Sequence, residues 1–358
     1  MALSIPRLSF AKPSGHVDVA IIGAGAAGIA AARVCTAAGL SVAVLEARRH
    51  VGGRAVTALA GGHPVDLGAH WLHAGTLNPL VRLGLAGEAS VRRAPAESHL
   101  VVRGRRATPG ERAAHGRGFG LMERAFADAA RADEDRSALD VAPLLGRWRK
   151  PVLATHALIS GRPLGEVSTK DYPSDEFGDN YFVAGGYGAY IARLARGLPI
   201  ALGEPVGVID TAGAGVSIET VAGARIEARA AILTVPVPLL QAGGITFRPG
   251  LPESHRDALA GFLAGTYEHV ILNWPDLPLR GADRLAKLVG RRDAIGMLTH
   301  IDGAPVHYME LDHALATRLP NPAATARFAR AFLAEHFGGR ALSRLQILGV
   351  TDWRADPW

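Results

Sequence analysis

A chain of 358 residues with 48% hydrophobic and 20% charged residues, 43 glycines and 22 prolines has room for two globular units, and its composition is neither disordered nor fibrous. The formal charge of +6 rests mostly on arginine, since the only lysines are Lys12, Lys150, Lys170 and Lys287, and the arginines are scattered rather than gathered into a basic arm, which speaks against a nucleic-acid partner. The single cysteine, Cys35, excludes an intrachain disulfide and suits a small packed residue in a reducing, cytoplasmic setting.

The opening "MALSIPRLSFAKPSG" has no continuous apolar run, so a cleaved leader is not expected. Next, "VDVAII" (17–22) reads as a buried parallel strand, a short β-branched run with no need to alternate. It runs into "GAGAAG". Gly23 permits a tight turn, Gly25 lets the backbone approach a pyrophosphate, and Gly28 allows a helix to pack closely on the strand. With Ala26 and Ala27 these residues open an alanine-rich helix that stops at Gly39, and its N-terminus presents free N–H groups to a phosphate. "SVAVL" (41–45) is the second strand, and Glu46 ends it. An acid there accepts hydrogen bonds from ribose hydroxyls and repels a 2′-phosphate, which leaves NAD and FAD open and disfavours NADP. The window around 19–45 is the most apolar in the chain, but its glycine turns and Arg33 exclude a membrane span.

"ARRHVGGR" (47–54) places an arginine just past a double glycine, suited to reaching back over the phosphates of a long cofactor. Together with "DLGAHW" (66–71) and "NPL" (78–80), the stretch 17–80 resembles the flavin-containing amine oxidase family, which includes monoamine and polyamine oxidases, histone lysine demethylases and L-amino-acid oxidases. The resemblance implies an α/β fold, a Rossmann-like FAD-binding domain with an interleaved α+β substrate domain. It also implies Glu46 on the adenosine ribose, Arg48 and Arg54 near the phosphates and ribityl chain, and Gly68, Ala69, His70 and Trp71 beside the isoalloxazine, with Ala47 and Gly53 among the cofactor-binding residues.

Further along, "YFVAGGYGAYIARLARGLPIALGEPVGVI" (181–209) is similar to the family's Gly-Gly turn, helix and strand, which implies that the Val206 backbone touches adenine. "AAILTVPVPLLQAGGITFRPGLP" (230–252) resembles the strand and proline turn that follow, and "TDWRADPW" resembles a motif whose tryptophan, here Trp353, lies near the flavin. The expected organisation is an FAD-binding domain in three parts, 17–80, 181–262 and 345–358, with a substrate domain inserted as 81–180 and 263–344. The first insert carries helix-like, charge-rich segments and the second alternating strand-like runs such as "HVILNW" and "VHYMEL". The resemblance also predicts a flavin-binding segment after "TDWRADPW", so the chain is expected to be C-terminally incomplete and a weak holder of FAD by itself.

Membership of such a family implies hydride transfer from the α-carbon of a neutral amine to flavin N5, hydrolysis of the imine, and reoxidation by oxygen with release of hydrogen peroxide. The cofactor carries the hard step while the protein orients and desolvates the amine. No metal is expected: His63, His70 and His73 follow a turn-rich stretch without a second ligand cluster. His70 and Trp71 are read as flavin neighbours rather than turn packing, and Tyr187 and Tyr190 as packing residues. The acidic "DYPSDEFGD" (171–179) is a candidate for greeting a polyamine and equally a solvated loop. In "GTYEHVILNW" (265–274) the family's pattern has a lysine that holds a water at flavin N5, and counting from Gly265 puts His269 in its place. His269, His70 and Trp353 are therefore the catalytic candidates, with oxygen or another electron acceptor as co-substrate. The alternatives are a carotenoid desaturase or protoporphyrinogen oxidase type of enzyme, and a non-catalytic flavin-binding module.

Overall fold

The computed structural model describes residues 3–6, 15–96, 98–172 and 178–358. In chain order the strands are β1 (His16–Ile22), β2 (Val42–Glu46), β3 (Thr57–Ala60), β4 (His63–Asp66), β5 (Val91–Arg93), β6 (His99–Val102), β7 (Arg105–Arg106), β8 (Tyr181–Val183) and β9 (Ile200–Leu202). They continue as β10 (Val206–Asp210), β11 (Val216–Thr220), β12 (Arg225–Leu233), β13 (Thr246–Arg248), β14 (Glu268–Asn273), β15 (Arg284–Val289), β16 (Ala294–Thr299), β17 (Val306–Leu311) and β18 (Gln346–Val350).

One sheet runs β13-β10-β11-β12-β1-β2-β9. Its centre, β12-β1-β2-β9, is parallel. That is why "VDVAII" and "SVAVL" are apolar without alternation: Ala20, Ile21, Ala43 and Val44 have no exposed surface, being covered on both faces. The helix Ala26–Ala37 and the helix Tyr187–Leu194 cover one face, where Ile29, Ala32, Tyr190 and Ile191 join Ile21 and Val44 in one core. On the other face Ala20, Ile22, Ala43 and Leu45 pack with Ile209, Ile218 and Ile245.

The second sheet runs β18-β14-β17-β16-β15-β6-β7 and is antiparallel except where β15 meets β6. Val270, Leu272, Met309 and Leu311 point to one face, against Phe332 and Leu333 of the helix Pro322–Phe337. Ile271, Leu298 and Tyr308 point to the other, against Ala58, Val65 and Phe182 next to the first sheet. β17 is buried at every position, so "VHYMEL" alternates between two covered faces rather than between core and water. The expected inserts thus supply one shared sheet, β6 and β7 from the first and β14 to β17 from the second. The organisation departs from expectation at the end: Gln346–Val350 pairs with β14 in the second sheet, so the chain leaves that sheet after Val350 and not at 345. A single strand that supplies the free edge of β14 outweighs the sequence proximity to "TDWRADPW".

Candidate active site

The glycine turn is built by close approach. Gly23 sits at φ +103°, a region favouring glycine, and its N–H donates to Leu45 O at 2.8 Å. A Cβ on Gly28 would overlap the Gly23 carbonyl oxygen, so that glycine seats the helix against the turn. A Cβ on Gly25 would meet nothing nearer than the Gly53 Cα at 4.0 Å. Gly25 therefore faces a space rather than a neighbour.

That space is a cavity of about 340 Å³, lined by the turn (Gly23, Gly25, Ala26, Ala27), by Glu46, Ala47 and Arg48, by Gly53 and Arg54, and by Ala69 and Val206. Glu46 is 4% exposed; its Oε2 accepts the Ala24 N–H at 2.7 Å and its Oε1 the Arg48 N–H at 2.9 Å, so the turn and the carboxylate hold each other. The Arg48 guanidinium donates to Asp356 Oδ1 and to the Trp358 carbonyl, both at 2.6 Å. Its lining combines glycine backbone and a helix N-terminus with the apolar side chains of Val206, Leu239 and Ile245, and includes Glu204. The groups present fit a dinucleotide: no Cβ blocks the turn, an acid stands at the strand end, and the Oε2 of Glu204 is buried without a partner.

Of the residues expected at the isoalloxazine, Ala69 lines this cavity, while Gly68, His70 and Trp71 pack toward the second sheet. Trp353 covers Gly68, its Cζ2 lying 3.0 Å from where a Cβ would be, and its indole N–H donates to Leu67 O at 2.9 Å. Trp71 packs on Phe182 with ring centres 4.3 Å apart and stacks on His73. His70, 5% exposed, stands edge-on to His269 with ring centres 4.9 Å apart.

His269 has no exposed surface, and its ring stacks on Tyr308 at 4.8 Å while Tyr267 stands against it edge-on at 5.0 Å. Burial pushes its pKa well below the usual value, helped by His70; the Leu67 and Asp66 carbonyls oppose the shift without reaching hydrogen-bond geometry, and the imidazole is neutral. Both ring nitrogens lack a hydrogen-bond partner, as do His70 Nε2 and Glu310 Oε1, which face each other at 3.5 Å at ion-pair distance without making a hydrogen bond. Four orphaned polar atoms in one cluster mark a place for water or a polar ligand.

The cluster continues along one row of the second sheet. His269 pairs with Glu310, Glu310 with Gly296 and Gly296 with Lys287, so all four share the face opposite Val270 and Met309. Lys287 lies under the helices Pro109–Arg131 and Arg149–Ser160, its ammonium 4.9 Å from the centre of the Phe119 ring. Burial lowers its pKa to about 8, against a pull in the other direction from Glu310. On the buried faces of these two helices His115 and His156 are lowered to about 4, by burial first and by Lys287 second.

Glu268, beside His269, is 3% exposed. It accepts the Thr351 hydroxyl at 2.6 Å and the Trp353 N–H at 2.7 Å, and burial raises its pKa. Asp66 of "DLGAHW" is likewise buried and raised; it accepts the Thr57 hydroxyl and the Tyr187 and Gly188 N–H groups, tying β4 to the start of the helix Tyr187–Leu194. Tyr190 is fully buried and donates to Leu80 O, whereas Tyr187, expected as packing, lines the cavity. Glu204, Glu268, Glu310 and Lys287 were not singled out in the sequence. Two of them stood next to candidates, Glu204 two residues before Val206 and Glu268 before His269, but a lone acid near a strand gives no signal of its own. Residues 173–177 of the acidic run lie outside the described residues. Among the described residues no group of three or more His, Cys, Asp or Glu could hold a metal, and no helix is long and apolar enough to cross a membrane.

Comparison with known proteins adds a second line of observation. Residues 21–83 match the NAD(P)-binding Rossmann-like domain, and residues 112–358 match the flavin-containing amine oxidoreductases. The chain is 26% identical to human lysine-specific histone demethylase 2 over 97% of its own length and 47% of that protein. It is 32% identical to polyamine oxidase 2 of Arabidopsis thaliana over 77% of its length and 62% of that protein. The chain thus spans from about half to under two thirds of the length of these curated relatives. A solved structure of putrescine oxidase bound to putrescine superposes with a TM-score of 0.76 at 20% identity, covering 97% of this chain and 87% of that one.

Proposed function

The chain belongs to the family of flavin-containing amine oxidoreductases, whose cofactor is FAD, and from that membership we propose that it oxidises an amine. When bound, FAD supplies the acceptor for a hydride from the amine α-carbon, water then hydrolyses the imine, and oxygen takes the electrons to give hydrogen peroxide.

The observation that carries this reading is the cavity lined by the unblocked Gly25 turn and by Glu46. Gly23, Gly25, Ala26 and Ala27 would hold the pyrophosphate by backbone N–H groups, Glu46 and Ala47 the adenosine ribose, and Arg48, Gly53 and Arg54 the phosphates and ribityl chain. Gly28 acts through packing. Gly68 and Ala69 would leave room for the ring system, with Trp353 backing Gly68.

We assign the amine to the cluster of His70, His269 and Glu310, whose orphaned atoms need a polar partner. A neutral His269 accepts or donates one hydrogen bond without charge, so it holds a water or the amine and does not act as a strong base. His70, Tyr267 and Tyr308 exclude bulk water around it. The relatives named as polyamine and putrescine oxidases make aliphatic amines the substrates to test first, and the single half-buried cysteine supports a cytoplasmic setting.

The test is spectroscopic. Purified protein reconstituted with FAD should show a bound-flavin absorption that bleaches anaerobically on addition of putrescine, spermidine or a monoamine and returns with oxygen. Flavin that binds and stays oxidised with every amine would overturn amine oxidation while leaving cofactor binding intact.

A further inference from the structure

His70 and Glu310 face each other across a gap that neither closes. The His70 Nδ1 lies 3.2 Å from the Gly68 carbonyl, which only accepts, so the ring carries a proton on Nδ1 and turns Nε2 toward Glu310 Oε1. Those two atoms are 3.5 Å apart and buried, and neither has a hydrogen-bond partner. An imidazolium would close on the carboxylate with a charge-assisted hydrogen bond, whereas a nitrogen lone pair facing it stays apart. Gly296 makes room for the acid, since a Cβ there would fall 2.5 Å from Glu310 Oε2. Among the described residues the ion-pair partner of Glu310 is His70, and no lysine or arginine.

What this pair serves follows from the amine. Near neutral pH an aliphatic amine arrives as an ammonium ion, and a hydride leaves its α-carbon only after the nitrogen lone pair is freed of its proton. A base must therefore stand in the cluster. Burial holds the His269 pKa well below its usual value and keeps the Tyr267 and Tyr308 hydroxyls protonated, so none of the three takes a proton from an ammonium ion. His70 has the free lone pair, with a carboxylate behind it to stabilise the imidazolium. The titratable groups facing His70 are Tyr267 and His269 from the β14 segment, Tyr308 and Glu310 from β17, and Asp66 and His73 from its own segment, with Lys287 of β15 beyond Glu310.

We propose that His70 is the base that takes the proton from the substrate ammonium ion, with Glu310 holding the imidazolium that results. The step is a proton transfer alone: an ammonium N–H bond breaks, an Nε2–H bond forms, the amine becomes neutral, and the positive charge rests on His70 against the Glu310 carboxylate. The proton returns to solvent when the product leaves. This rests on the chain oxidising an amine, and the test separates the two claims. Anaerobic flavin reduction by limiting amine, whichever of putrescine, spermidine and butylamine bleaches the flavin, is followed from about pH 7 to about pH 9 in FAD-loaded wild type, His70→Gln and Glu310→Gln. Thermal melts confirm that each folds. Independently of turnover, calorimetry with tert-butylamine, which has no α-hydrogen to lose, counts the protons exchanged with buffers of different ionisation enthalpy.

With a base in the site the wild type uses the ammonium ion, so its rate should stay within about three-fold across this range, and tert-butylamine should bind without net proton exchange. Without that base only the free amine reacts. His70→Gln should therefore be slower by about a hundred-fold or more near neutral pH, recover about ten-fold for each pH unit, and release about one proton for each tert-butylamine bound. Glu310→Gln keeps the base and loses the charge behind it, so it should be at least several-fold slower with the flat profile of the wild type. Lys287, lowered to about 8, titrates in the wild type and in His70→Gln alike, so the difference between their profiles belongs to His70. A wild type that itself gains about ten-fold per pH unit, or a His70→Gln protein with the profile or the proton count of the wild type, overturns the proposal and leaves amine oxidation standing. Flavin that no amine bleaches overturns both.

Discussion

Glu268 holds Trp353 by its backbone: Oε1 accepts the Trp353 N–H at 2.7 Å, while Oε2 accepts the hydroxyl of Thr351, whose Oγ1 in turn accepts the His269 N–H at 2.8 Å. One buried carboxylate therefore joins the strand that carries His269 to the segment that backs Gly68. Glu268→Ala leaves these donors unpaired and is expected to cost about 2–3 kcal/mol by denaturant unfolding, with a red-shifted tryptophan emission as Trp353 loosens. A stability and emission equal to wild type would show that the carboxylate does not hold the segment.

Two glycines three residues apart should fail differently. Gly28→Ala places a methyl group against the Gly23 carbonyl oxygen and is expected to destabilise the fold by about 3 kcal/mol or more. Gly25→Ala has space and an ordinary negative φ, so it should fold with near wild-type stability and lose FAD affinity about ten-fold or more, because the methyl projects into the cavity. Thermal melts paired with flavin titrations check both.

Glu46→Ala removes a carboxylate that serves both the cavity and the turn. Loss of hydrogen bonds to ribose, at about 1.5–3 kcal/mol for each bond to a charged group, is expected to weaken FAD binding by at least about ten-fold. The unpaired Ala24 N–H should also lower the melting temperature of the flavin-free protein. Wild-type affinity in a folded Glu46→Ala protein would remove Glu46 from the site.

His269 is buried neutral, so flavin reoxidation should not titrate with this group between about pH 6 and about pH 8. In FAD-loaded protein His269→Ala is expected to change the oxygen half-reaction at least several-fold and anaerobic reduction by amine less. Stopped-flow traces of the two half-reactions decide, and equal effects on both would make His269 a packing residue.

The buried histidines make the fold acid-sensitive. Burial lowers His115, His156 and His307 to about 4 and also holds His269 well below its usual value, so between about pH 6.5 and about pH 4 the unfolded chain binds protons that the folded chain refuses. Stability is therefore lost as pH falls through that window, each histidine contributing a slope approaching about 1.4 kcal/mol per pH unit. Asp66 and Glu268, raised by burial, act in the opposite sense. Denaturant unfolding at about pH 7 and about pH 5 should differ by about 2 kcal/mol or more, and His156→Phe should reduce the difference; a flat profile would show that the imidazoles are charged inside the fold.

What the sequence determined by itself is local. The strand, glycine turn, helix, strand and acid of 17–46 lie within one βαβ stretch, where spacing along the chain is spacing in space, and Gly25 and Glu46 were legible for that reason, whereas Arg54 and Val206 were named only through the family resemblance. The second sheet was legible as strands but not as a site. Whether His269, Glu310, Gly296 and Lys287 share a face depends on which strands pair and in what register, since a slip of one residue turns every side chain to the other side. Only the tertiary structure set His70 against His269, took β18 into the second sheet and placed Glu268 beneath Trp353. The same holds for Glu204: an acid before a strand reads as solvated until the fold closes apolar walls around it and leaves its oxygen without a donor.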